Sequence, residues 1–184
     1  MRRGLFTLAM LAALLLGPVG GRVAAQPPAG ALKAAFLFNV LNFVEWPQAS
    51  LPPGTGPLRI AIIAPRTPDD FVAALKGRVV RGHPLSVQTY DRVDVVEGAQ
   101  AIFITSEALA QVKAVTKKVG GTPVLTMADQ DLDTPFDTTM ALGVVQAKLA
   151  FAVNLDEADA AGLQISPNLL KLARSVKSAR VKTR

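Results

Sequence analysis

Leu58-Arg59-Ile60-Ala61-Ile62-Ile63-Ala64-Pro65-Arg66-Thr67-Pro68 decides the fold class of this 184-residue chain. Residues 58–64 form a short, β-branched run bounded by Pro57 and Pro65, which is the pattern of a buried strand. Residues 68–76 then predict a helix. Thr67 stands at its N-cap, Pro68 at its first position and Gly77 just past its end.

The same alternation continues downstream. Residues 85–90 alternate and predict a strand, and residues 101–105 predict a second buried one. Residues 107–119 predict a helix capped by Thr105 or Ser106 and stopped by Gly120-Gly121. Residues 123–127 predict a third apolar strand. Strands alternating with helices call for a largely parallel sheet covered on both faces. The pattern then changes. Residues 140–146 and 148–154 are two β-rich runs with almost nothing between them, so an antiparallel hairpin is expected at the sheet edge. Residues 156–161 predict a short helix ended by Gly162. Ser166 and Pro167 predict the cap and first position of a last helix. The expected fold is therefore α/β: one domain, a mostly parallel sheet flanked by helices, and an added C-terminal hairpin.

Upstream lies a Pro/Gly-rich loop, residues 51–57. Before it, residues 31–46 are strongly apolar, without Gly or Pro until Pro47, and predict a helix. Asn39, Asn42 and Glu45 would share one stripe of it. Residues 26–30 read as a linker. Residues 1–25 read as a cleavable signal peptide: Arg2 and Arg3, an apolar run from Leu5 to Leu16, helix breakers at Gly17, Pro18, Gly20 and Gly21, and small residues at Val23-Ala24-Ala25. The run is shorter than the roughly 20 residues of a membrane span, and the breakers argue against a retained anchor. The domain is expected over residues 31–176, with a basic tail at 177–184.

Charge and cysteine content narrow the function. The net charge is +6. Yet Arg2, Arg3 and Arg22 belong to the leader, and six basic residues crowd the segment from Lys171 onward. Residues 26–170 carry 11 basic against 14 acidic residues. The positive charge is not spread over a fold face, so no nucleic-acid partner is expected. There is no cysteine, hence neither a disulfide nor a lipid-modified cysteine anchor. Direct membrane insertion of the mature chain is not expected. Cleavage of 25 residues would leave 159, enough for a core that needs no staples.

Catalytic and metal motifs fail on their spacing. Asp129, Asp131 and Asp133 match the opening of a calcium loop. Thr134 stands where a glycine is needed, however, and Met140 where a bidentate Glu should close the site. A solvated turn is favoured over a weak cation site, and no metal is expected. His83 is the only histidine, too few for zinc. No nucleophile elbow accompanies it for hydrolysis. Gly54-x-Gly56 precedes a strand instead of following one, so it is not a dinucleotide loop. No cofactor is expected.

Three surfaces remain. The end of the first helix offers Asn39, Phe43, Glu45 and Trp46 as partner-binding residues, with core packing as the plain alternative. The last helix would carry an apolar stripe (Leu169, Leu172, Ala173, Val176) and a basic one. Lys171 and Arg174 of that basic stripe, which also holds Lys177, are candidate contacts for an anionic leaflet or an acidic partner, with a solvated face as the plain alternative. Open α/β sheets bind ligands outside the carboxyl ends of their strands, which makes Pro65, Ser106, Glu107 and Asp129 candidate ligand-binding residues.

In chain order, Leu32-Lys33-Ala34-Ala35-Phe36-Leu37-Phe38-Asn39 runs into Phe43-Val44-Glu45-Trp46-Pro47. Gly82-x-Pro84-Leu85-x-Val87, Ile102-Phe103-Ile104-x-Ser106-Glu107 and Pro123-Val124-Leu125-Thr126 come next. Phe151-x-Val153-Asn154-Leu155 and Ala161-Gly162-Leu163-x-Ile165-Ser166 follow, and Leu169-Leu170-Lys171-Leu172-Ala173 closes the series. This ordered set resembles the YfiR family of exported, mostly periplasmic proteins. The resemblance implies a non-enzymatic regulator that represses an inner-membrane signalling protein, such as a diguanylate cyclase that makes cyclic di-GMP, by binding its periplasmic sensor domain. It also implies a periplasmic location and a capacity to form homodimers. Described members carry redox-sensitive disulfides; Ala99-Gln100-Ala101 stands where one of their cysteines falls, so redox control by that route is excluded. A periplasmic small-ligand-binding module is the alternative function.

Overall fold

A computed structural model describes residues 27–179. The expected signal peptide and the last five residues lie outside the described residues. Helix α1 (Ala29–Asn42) buries Ala34, Leu37, Val40 and Leu41, a spacing that puts all four on one face. It is followed by strand β1 (Val44–Glu45) and a 3-10 turn at Gln48–Ser50. Then come β2 (Leu58–Ile63), α2 (Asp69–Leu75), β3 (Val79–Val80) and β4 (His83–Tyr90). Strand β5 (Ala101–Ile104) leads through a 3-10 segment, Ser106–Gln111, into α3 (Val112–Val119). The chain continues as β6 (Leu125–Asp129), β7 (Met140–Val145), β8 (Lys148–Asn154), α4 (Leu155–Ala160), β9 (Gln164–Ile165), α5 (Pro167–Leu170) and β10 (Ser175–Lys177).

The main sheet has eight strands in the order β10-β8-β7-β6-β5-β2-β4-β3. Strands β4, β2, β5, β6 and β7 are parallel. The expected hairpin is present, with β7 antiparallel to β8 and Met140 opposite Val153. Alternate residues feed two cores. Ile60, Ile62, Phe103, Met127 and Leu142 pack under α1 and α2. Ala61, Ile63, Ile102, Ile104 and Ala128 pack against Val115 of α3 and Val93 and Val96. Two covered faces explain why these strands are apolar throughout instead of alternating.

Several sequence expectations need correction. The first helix starts at Ala29 and ends at Asn42, four residues short of Trp46. Pairing across the fold wins there: Val44 and Glu45 join β9 through Val44↔Ile165 and Glu45↔Gln164. The Asn39, Asn42 and Glu45 stripe therefore does not exist. In α2, Pro68 occupies the N-cap and Thr67 makes no capping bond. In place of one helix over 107–119, a 3-10 segment precedes α3, and the Thr105 hydroxyl donates to Ile63 O at 3.2 Å instead of capping.

The last helix is the largest departure. Ser166 caps it by accepting from Asn168 N at 3.3 Å, and Pro167 is its first residue, as expected. It stops after four residues. The backbone N–H of Arg174 donates to Phe151 O at 2.8 Å, and Ser175–Lys177 adds to the free edge of β8. The two helical stripes are thus replaced by an edge strand, and the hairpin is not the outermost part of the sheet. Strand β3 was not anticipated. It turns into β4 through Arg81 and Gly82, both at positive φ (49° and 86°), the backbone that a two-residue hairpin requires.

Candidate functional site

From β2 the chain crosses through α2 to place β4 on one side. It then returns to lay β5 on the other side of β2. α2 packs in the core under α1, whereas α3 packs on the opposite face. The strand order therefore reverses beside β2. In an open α/β sheet this is the switch point where a crevice opens at the carboxyl ends of the strands.

A cleft of about 450 Å³ lies there. The segment after β2 contributes Ala64, Arg66, Thr67 and Pro68; the segment after β5 contributes Thr105, Ser106 and Glu107. Gly30 and Lys33 of α1, Asp69 and Phe71 of α2, Phe103 of β5 and Asp129 of β6 complete it. Of the four ligand-binding candidates read from the sequence, Ser106, Glu107 and Asp129 line one cleft; Pro65 is exposed between two lining residues.

The deepest polar group is Asp129, 7% exposed. The Lys33 ammonium donates to its Oδ2 at 2.6 Å. This ion pair ties the first turns of α1 to the end of β6, 96 residues away in sequence. Sequence spacing gave no sign of Lys33; only the position of α1 antiparallel over the sheet brings it there. At the mouth Arg66 and Glu107 approach to 3.9 Å, both well exposed, so that pair contributes little. The rings of Phe71 and Phe103 meet at 4.7 Å between centroids and form the floor.

The partner-binding candidates differ in exposure and pairing. Asn39 and Glu45 are exposed, and Phe43 is 38% exposed. The Arg81 guanidinium lies 3.4 Å from Glu45. Phe43 O accepts from Ser166 N at 2.9 Å, which fixes the end of α1 to the start of α5. Trp46 is 8% exposed, and its indole N–H donates to Gln100 O at 3.1 Å. The structure therefore places it in the core. Lys171 is exposed in the turn after α5, while Arg174 donates to Asp133 at 2.8 Å.

The remaining candidates have structural tasks. His83 Nδ1 donates to Gly56 O at 2.8 Å and holds the loop at 51–57 onto β4. In the acidic loop, Asp131 accepts from the Asp133 N–H at 3.0 Å, while Asp129 and Asp133 face different cations. Among the described residues no cluster of His, Asp and Glu is set to hold a metal ion. Beside the second core, a hydrogen bond from Arg92 holds the exposed Asp94 carboxyl below its ordinary range. What that pair contributes is present above the ordinary carboxylate pKa and is lost as pH falls through the lowered one. The sequence model of a family described as YfiR/HmsC-like matches residues 30–174.

Proposed function

The chain belongs to the YfiR/HmsC-like family, and we propose that it is an exported, non-enzymatic regulator that represses an inner-membrane signalling protein, such as a diguanylate cyclase, by binding its periplasmic sensor domain. The family match carries this reading, because it spans nearly the whole described chain. Residues 1–25 would serve as the signal peptide. Among the described residues no helix is long and apolar enough to cross a membrane, which agrees with action through a partner. Binding one state of the partner in preference to another is sufficient. A tenfold change in the ratio of the two states needs only ~1.4 kcal/mol of differential affinity, within reach of a small surface. The exposed residues at and just after the end of α1, Asn39, Phe43 and Glu45, are the proposed contact, joined by Lys171 near α5; a homodimer is a further proposed state.

Deletion of the gene is expected to raise cyclic di-GMP and biofilm formation. Crosslinking in intact cells is expected to recover a membrane protein with a periplasmic domain. Unchanged nucleotide levels together with no membrane partner would contradict the proposal. A second reading is favoured by the cleft itself: a small molecule binds at the switch point and tunes the partnership.

A further inference from the structure

We propose that the cleft takes a small organic ammonium compound whose charged nitrogen docks on Oδ1 of Asp129. This rests on the reading that the cleft at the switch point is a ligand site.

Asp129 is nine-tenths buried and uses only one of its oxygens. Lys33 occupies Oδ2; among the described residues Oδ1 has no hydrogen-bond partner, although the carboxylate lines the cleft. Oδ1 is therefore open to the cleft, where an ammonium group can donate to it directly, and a hydrogen bond to a charged group is stronger than one between neutral groups. The charges agree in sign. Lys33 and Arg66 stand against Asp69, Glu107 and Asp129, a surplus of one negative charge. Neither cation is placed to receive an anion. Lys33 is held by Asp129, and Arg66 extends into solvent toward Glu107.

The N-terminus of α1 also borders the cleft at Gly30 and would ordinarily attract an anion. That place is already taken: the carboxylate of Asp70 lies against Gly30, in the space a Cβ there would need. The Asp70 side chain is fixed by accepting from Phe71 N at 2.9 Å. The apolar floor of Phe71 and Phe103 suits methylenes beside the ammonium group. A cleft of about 450 Å³ lies within the usual size range for small-molecule sites.

Three four-carbon probes that differ in charge test the proposal on the full mature chain: 1,4-diaminobutane, succinate and erythritol. Each is titrated by calorimetry and by amide NMR. Diaminobutane is expected to saturate and to shift the amides of Ser106, Glu107 and Asp129, while the other two do not. Asp129→Asn is expected to weaken it tenfold or more. Lys33→Met is expected to tighten it several-fold, since it frees Oδ2 and removes a competing cation. A purely structural role for the ion pair predicts no such gain. If Asp129→Asn fails to fold, Lys33→Met and Glu107→Gln decide, with Glu107→Gln expected to weaken binding. Binding of succinate or erythritol in the cleft without diaminobutane would overturn the ammonium assignment and leave the ligand site standing. Diaminobutane binding that is indifferent to these variants would likewise overturn it. No cleft shift with any probe would sink both.

Discussion

Phe103→Ala is expected to lower the free energy of unfolding by about 3–5 kcal/mol. Phe103 is 1% exposed and sits at the centre of the sheet, opposite Ile62 of β2 and Met127 of β6. Its ring meets Phe71 of α2 with an interplanar angle of 36°. Truncation therefore loses transfer free energy and leaves a void between a sheet and a helix that are each fixed by other contacts. The aromatic pair adds roughly 0.5–1.5 kcal/mol beyond its buried area. Domains of ordinary stability hold only about 5–15 kcal/mol, so the variant forfeits about a fifth or more. Urea denaturation measures this as a fall in midpoint on the order of 2 M. Phe103→Leu keeps most of the volume and is expected to cost less than about 1.5 kcal/mol. A midpoint for Phe103→Ala within error of the parent would mean that the sheet and α2 close over the void. Because Phe103 also floors the cleft, Phe103→Leu separates the two roles: near-native stability with altered occupancy of the cleft.

Where a pattern was local, the sequence disclosed it. Residues 58–63 and 101–104 become strands because β-branched, unbroken apolar runs suit a sheet buried on both sides, and prolines mark where β2 must begin and end. Ser166-Pro167 fixes a helix start through a single side-chain oxygen. The largest failures are long-range. Nothing in Phe43-Val44-Glu45-Trp46 forbids a helix; the segment extends because β9 offers a partner more than 100 residues later. The apolar spacing of Leu169, Leu172, Ala173 and Val176 suits a helix equally well, but β8 presents a free edge whose N–H and C=O groups need partners. The cleft was foreseeable in outline, since the strand ends follow from the strands. Its charge was not. Asp129 read as one member of an acidic turn, and its actual role depends on Lys33 arriving from α1.

Trp46→Ala is expected to cost about 3–5 kcal/mol, and Phe43→Asp close to none, although the two residues lie three positions apart in one aromatic segment. Trp46 is 8% exposed within the main core, whereas Phe43 is 38% exposed at the end of α1. Removing the indole opens a cavity and also takes away one of the two donors to Gln100 O, which keeps the Leu125 N–H at 2.9 Å. Gln100 is itself a hub: its side chain accepts from Arg59 N at 2.8 Å, and its own N–H donates to Arg59 O at 2.9 Å. Damage at Trp46 therefore reaches β2. Trp46→Phe keeps the apolar bulk and is expected to lose mainly the hydrogen bond, about 0.5–1.5 kcal/mol. The contrast bears on the proposed partner surface. If α1 ends in a contact site, Phe43→Asp folds with a native melting temperature and fails to repress the partner, whereas Trp46→Ala fails because little folded protein remains. Thermal denaturation of both variants, set beside cyclic di-GMP levels in cells that carry them, distinguishes the cases. A Phe43→Asp protein that is fully folded and fully repressing removes this end of α1 from the proposed interface.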